Sequence, residues 1–105
     1  MIVYAIDVNN MHAYSDNSHF ILKEVYADKK TAIEMLMRHG FKPVHDNWKG
    51  ETVYRWEPTE KDEYGEPDYS NAPFISTWYG VEATLIKCEV VSYNTLKKSY
   101  NMCGY

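Results

Sequence analysis

Four histidines, two cysteines and fifteen carboxylates are the groups through which this 105-residue chain could do acid–base, metal or thiol chemistry. His12, Asp16 and His19 form the one set with ligand-like spacing. A metal needs its ligands held by rigid elements and oriented by further hydrogen bonds. These three fall in residues 9–19, NNMHAYSDNSH, a polar, turn-rich stretch that reads as a mobile connection between strands. No metal is therefore expected there. His45 and Asp46 are adjacent in sequence, so their side chains diverge instead of forming an orienting pair. Glycine-rich phosphate loops, nucleophile elbows and paired-cysteine zinc motifs are absent. Cys88 alternates with Ile86 and Val90, the pattern of a buried, unreactive strand thiol. The expectation is a non-enzymatic protein with no cofactor.

A second concentration of charge lies between Glu57 and Asp68. Glu57, Glu60, Asp62, Glu63, Glu66 and Asp68 oppose Lys61 alone, a formal −5. The whole chain carries −4, so the remainder is close to neutral at +1. Tyr64 and Tyr69 are interleaved with these carboxylates, and Trp56 and Trp78 flank the segment. Carboxylates along an extended segment suit a basic groove, and tyrosines supply the apolar anchors that dominate binding energy. The plain alternative is a solvated loop that keeps an edge strand soluble. Residues expected to touch a partner are Trp56, Glu60, Asp62, Glu63, Tyr64, Glu66, Asp68 and Tyr69. The partner would be a protein with a basic surface. Direct nucleic-acid binding is not expected, because no basic face is visible.

Regular elements must hold that loop. Residues 2–8 read as a strand apolar on both faces, which suits a central place in a sheet. Residues 20–26 form a second, β-leaning run. Asp28 then stands where an N-cap belongs, Ala32, Ile33, Leu36 and Met37 recur at helical spacing over 29–39, and Gly40 supplies a left-handed stop. Phe41 should fold back onto Leu36, and Pro43 forbids continuation. Residues 42–50 read as a loop carrying Trp48, 51–57 as a third strand, and 57–73 as a long acidic loop with three prolines. A fourth strand is expected over 74–79, a turn or bulge at Gly80, and a fifth strand over 81–91 with Thr84, Ile86, Cys88 and Val90 on its apolar face. Asn94 could cap a helical turn over 95–100 before a frayed tail, 93–105. The order β-β-α-β-β-β predicts a single α+β domain over 1–105: one twisted, mainly antiparallel sheet of about five strands with one helix on one face.

Composition bounds the rest. A chain of this length can bury a core without disulfides. Ten tyrosines, three tryptophans and three phenylalanines make 15% aromatic residues, a share that fits both strands and amphipathic contact surfaces. Cys88 and Cys103 are too few for a disulfide framework, and no signal peptide or transmembrane run is legible. A cytoplasmic protein with no membrane partner is expected. One helix leaves a sheet face for self-association, so a homodimer is a further expected partner.

The run EVYADKKTAIEMLMRHGF resembles a recurrent piece of small uncharacterised proteins of phages and mobile elements. The matching positions are Val25, Tyr26, Asp28, Ala32 and Leu36 of this βα unit only; a late strand like 83–91 closes such domains. The acidic loop is not part of that pattern. Some small acidic phage proteins inhibit host defence nucleases by occupying nucleic-acid grooves. The resemblance thus implies a phage-encoded inhibitor, of anti-defence or anti-CRISPR type, acting on a nucleic-acid-handling protein in the host cytoplasm. Two other readings stand beside it: a small self-associating structural or regulatory domain, and a metal-dependent enzyme using the histidine loop.

Overall fold

Apolar residues at alternating positions of a strand share one face, and the register between strands decides which faces combine. The computed structural model describes residues 1–12, 18–46 and 51–91. Its elements follow the expected order: β1 Ile2–Asn9, β2 His19–Ile21, α1 Lys29–Arg38, β3 Lys42–Asp46, β4 Glu51–Trp56 and β5 Val81–Glu89. They build one five-stranded antiparallel sheet in the order β2-β1-β5-β4-β3. This is the α+β fold expected from the sequence. Asp16, Trp48, Asn94 with the turn 95–100, and Cys103 lie outside the described residues.

Registers Ile6↔Leu85, Val8↔Ala83 and Tyr54↔Ala83 place the even-numbered residues of β1 and β4 on one face with the odd-numbered residues of β5. Ile6, Val8, Val81 and Ala83 are fully buried there, and Tyr54 nearly so. Ala32 and Leu36 of α1 complete the core, both at 0% exposure. Met35 and Ile33 are half-buried against it, whereas Met37 is 54% exposed. The helical stripe is therefore centred one position away from the expected one, and Met37 belongs to the solvent side.

The ends of α1 are set by local chemistry. Asp28 Oδ1 accepts from the Thr31 amide at 2.7 Å and from the Thr31 hydroxyl at 2.9 Å, as an N-cap should. These two bonds, the backbone one first, hold the Asp28 carboxyl below the ordinary carboxylate range. At the other end Gly40, at φ +89°, donates its amide to Met37 O, and Phe41 donates to Leu36 O. That pair of bonds closes the helix and drives Phe41 into the core at 2% exposure.

Four strand expectations are corrected. Residues 42–46 form an edge strand, β3, where a loop was expected; an edge tolerates Pro43, which has no amide to donate. Residues 74–79 are not a strand. Phe74 has φ +69°, Ile75 donates its amide to Pro73 O, and the Thr77 hydroxyl captures the amides of Tyr79 and Gly80. Local side-chain bonding of this kind competes with a ladder. In β5 the core face is Val81, Ala83 and Leu85, not Thr84, Ile86, Cys88 and Val90. Glu82 sets the opposite parity by pairing with Arg55 at 3.0 Å on the other face. Cys88 lies on that face too, half-buried instead of enclosed. β2 is shorter than 20–26: the chain leaves β1 after the Leu22 amide meets Ile6 O and returns where Tyr26 and Tyr4 exchange backbone bonds. Among the described residues no helix is long and apolar enough to cross a membrane.

Candidate partner-binding groove

Trp56 and Val81 are register partners, so the long connection 57–80 leaves and re-enters the sheet at one point. Gly80, at φ +121°, is required at this closure, because a Cβ would come within 2.9 Å of Trp56 O. Inside the connection the chain folds on itself. Asp68 donates its amide to Glu60 O and Asp62 donates to Glu66 O, with an isolated bridge between Lys61 and Pro67. Gly65, at φ +79°, turns the tip, and Asp62 Oδ1 accepts the amides of Tyr64 and Glu66, each at 2.9 Å. Asp side chains favour such turns because they replace the missing backbone partner.

Past this small hairpin the chain is fastened to the domain. Asp68 Oδ1 accepts the Ser70 hydroxyl at 2.6 Å and the Ser70 amide at 2.9 Å. Those bonds, the hydroxyl first, hold the Asp68 carboxyl below its ordinary range, so it is ionised at neutral pH. Ala72 and Ile75 pack on the core, and the Phe74 ring lies 4.9 Å from His39 and 6.2 Å from Phe41. Thr77 is buried, its hydroxyl 2.8 Å from Asn10 O and 2.5 Å from Gly80 O, with one proton to donate. Asn10, buried beside it, accepts the amides of His12 and Ser18 on Oδ1. An Asn10–Thr77 contact thus joins the end of β1 to the returning arm of the acidic connection.

Between the hairpin and that arm lies an open groove of about 800 Å3. Its lining includes Asp62, Glu66, Asp68 and Tyr69 from the first part of the connection and Thr77, Trp78 and Tyr79 from the returning arm. Among the described residues no lysine, arginine or histidine lines it. Arg55 and Glu82 form an ion pair among the described residues, and His19 Nδ1 lies 3.4 Å from Asp7 Oδ1; neither contact touches the groove. Trp78 is 75% exposed and Tyr79 60%. The turn made by Thr77 and Gly80 pins the backbone on both sides of these two rings, and the Tyr79 ring meets His12 edge-on at 4.7 Å.

Of the eight residues expected to meet a partner, four line the groove: Asp62, Glu66, Asp68 and Tyr69. Tyr64, 82% exposed, and Glu63 stand at the hairpin tip, and Glu60 is exposed at its base. Trp56 is different. It is half-buried against the core, its Cδ1 3.2 Å from where a Gly40 Cβ would stand, so it serves packing. In the sequence Trp78 reads only as a flank of the acidic segment and Tyr79 as part of a strand. The signal for both was the Thr77-x-x-Gly80 spacing, a hydroxyl residue before a glycine-closed turn. The histidine loop is divided: His12 faces Tyr79, and His19 lies beside Asp7 across the β1–β2 ladder. Compared with known protein families, curated proteins and solved structures, the chain matches none.

Proposed function

We propose that the protein is a non-enzymatic binding module whose groove at 60–79 engages a basic surface of a protein partner. The observation that carries this reading is the combination of three carboxylates, with no cation lining the groove among the described residues, and two strongly exposed aromatic residues. Carboxylates steer a basic partner and set register, while desolvated aromatic rings supply the adhesion that charge alone lacks. Phosphate backbones are repelled by the same field, so a nucleic acid is a poor direct ligand. A protein that itself handles nucleic acid presents the required basic groove. An inhibitor of such a protein, the role implied by the resemblance of residues 24–41 to phage accessory proteins, would use this surface unchanged.

The test begins with affinity capture from native host extract and continues with the purified partner. Glu60, Asp62, Glu63 and Glu66 are replaced together by glutamine or asparagine, and binding is followed at low and high salt. Association should slow and its salt dependence flatten. Unchanged affinity at both salt concentrations removes the groove from the interface.

A further inference from the structure

Exposed indole and phenol rings beside unpaired carboxylates select among cations as well as against anions. Building on the proposed basic partner, we infer that the groove seats arginine side chains of an extended segment, in preference to lysine. The aromatic rings of Trp78 and Tyr79 are 75% and 60% exposed on the groove wall. In the same lining, Asp62 and Asp68 are held in fixed orientation, each through Oδ1 to backbone N–H of its own turn. Among the described residues no hydrogen bond reaches Oδ2 of either, and none reaches the Glu66 carboxylate, which leaves three carboxylates with open acceptors, two of them fixed by their turns.

A guanidinium matches both kinds of lining group at once. It is planar and weakly hydrated, so its face stacks on an aromatic ring while its in-plane N–H groups reach carboxylates in pairs. An ammonium is a compact, strongly hydrated point charge that gains chiefly from the carboxylates. A groove of about 800 Å3 lies in the range of sites that enclose a sizeable ligand, so it has room for a segment and not for one side chain alone. Because the hairpin and the returning arm are each fastened by internal bonds, little ordering is required on binding, which favours affinity.

Two capped hexapeptides, alternating glycine–arginine and alternating glycine–lysine, test this on the full chain at low ionic strength, by calorimetry and by amide shift mapping. The arginine peptide should bind about fivefold more tightly, the increment expected of stacking on an exposed ring. Shifts should concentrate at 62–70 and 76–79. Trp78→Ala should lower arginine-peptide affinity to that of the lysine peptide and leave the latter unchanged, with an unaltered circular dichroism spectrum as the check on folding. Equal affinities in the unsubstituted protein overturn the arginine inference and leave the basic-partner reading standing. Failure of both peptides to bind overturns both, and shifts centred outside the groove overturn the assignment of the site.

Discussion

The closure of α1 and the connection 57–80 are both rich in aromatic residues, yet they direct them oppositely. Around the helix end, Phe41 and Tyr54 are buried and Trp56 is half-buried, packed beside Leu36 and Val81. In the connection, Tyr64, Trp78 and Tyr79 face solvent at 82%, 75% and 60%. The first region is held by apolar burial, at roughly 25 cal/mol per Å2 removed from water. The second is held mainly by polar groups of its own: Asp62, Asp68 and Thr77 satisfy the turns, and only Ala72, Phe74 and Ile75 reach back to the core side. A surface fastened by hydrogen bonds can leave its rings outside. One fastened by hydrophobic contact cannot. The exposed rings offered for the proposed binding and the side chains that form the core are therefore different, which makes the two roles separable by mutation.

The largest effect should come from the apolar region. Leu36→Ala removes a side chain with no exposure and should destabilise by about 2–5 kcal/mol in denaturant titration, through lost burial and a cavity. A change below about 0.5 kcal/mol would show that α1 does not rest on the sheet. Next in size is Thr77→Val, which keeps the shape but withdraws the acceptor for the Tyr79 and Gly80 amides and the contact to Asn10. A loss of about 1–3 kcal/mol is expected, together with weakened peptide binding, since the arm bearing Trp78 loses its anchor. Stability loss with intact binding would separate Thr77 from the groove.

Gly40→Ala places a Cβ at φ +89° and 3.2 Å from the Trp56 ring. It should cost about 1–2 kcal/mol while leaving groove binding unaltered. By contrast Trp78→Ala should change stability by no more than about 0.5 kcal/mol and act on binding alone; a larger loss in urea would mean the indole belongs to the fold.

The smallest effect concerns acid. Asp28 is held below its ordinary range by Thr31, so its folded pKa lies under its unfolded one. The N-cap contribution is complete above the ordinary carboxylate range and is lost as pH falls through the lowered folded value. Urea midpoints for the native chain and Asp28→Ala should therefore differ at neutral pH and converge in acid. A gap that widens in acid would contradict the cap.

Legibility in the sequence followed the range of the interactions involved. The cap at Asp28, the stop at Gly40 and the return of Phe41 are each decided within a few residues, and each stands where the sequence placed it. The element order β-β-α-β-β-β was also readable, though the strand expected at 74–79 is a loop and the one at 42–46 was expected as a loop. The order of strands within the sheet was not readable. Parity in β5 was not, because Glu82 pairs with Arg55 from another strand and nothing local says which face is wet. The edge strand at 42–46 was hidden by Pro43, which reads as a breaker until the position is known to be an edge. The acidic character of the groove was visible as composition, but the approach of Trp78 and Tyr79 to Asp62 and Asp68 depends on a fold-back fixed by Thr77 and Asn10, far apart in sequence.

The connection is closed twice, once at Trp56 and Val81 and again at Glu60 and Asp68. Each closure brings the chain back to where it departed, so whatever lies inside can change length without displacing what lies outside. The inner loop, 61–67, is thus an exchangeable tip: a shorter turn or a different charged sequence joins the same two ends, with Phe74 over Phe41 and Thr77 on Asn10 left in place. A single proteolytic cut at the tip would likewise leave two fragments joined by the β4–β5 and β1–β5 ladders, and they should co-elute as one particle. Descendants of such a chain could change partners by rewriting a handful of residues, while the sheet that carries them stays as it is.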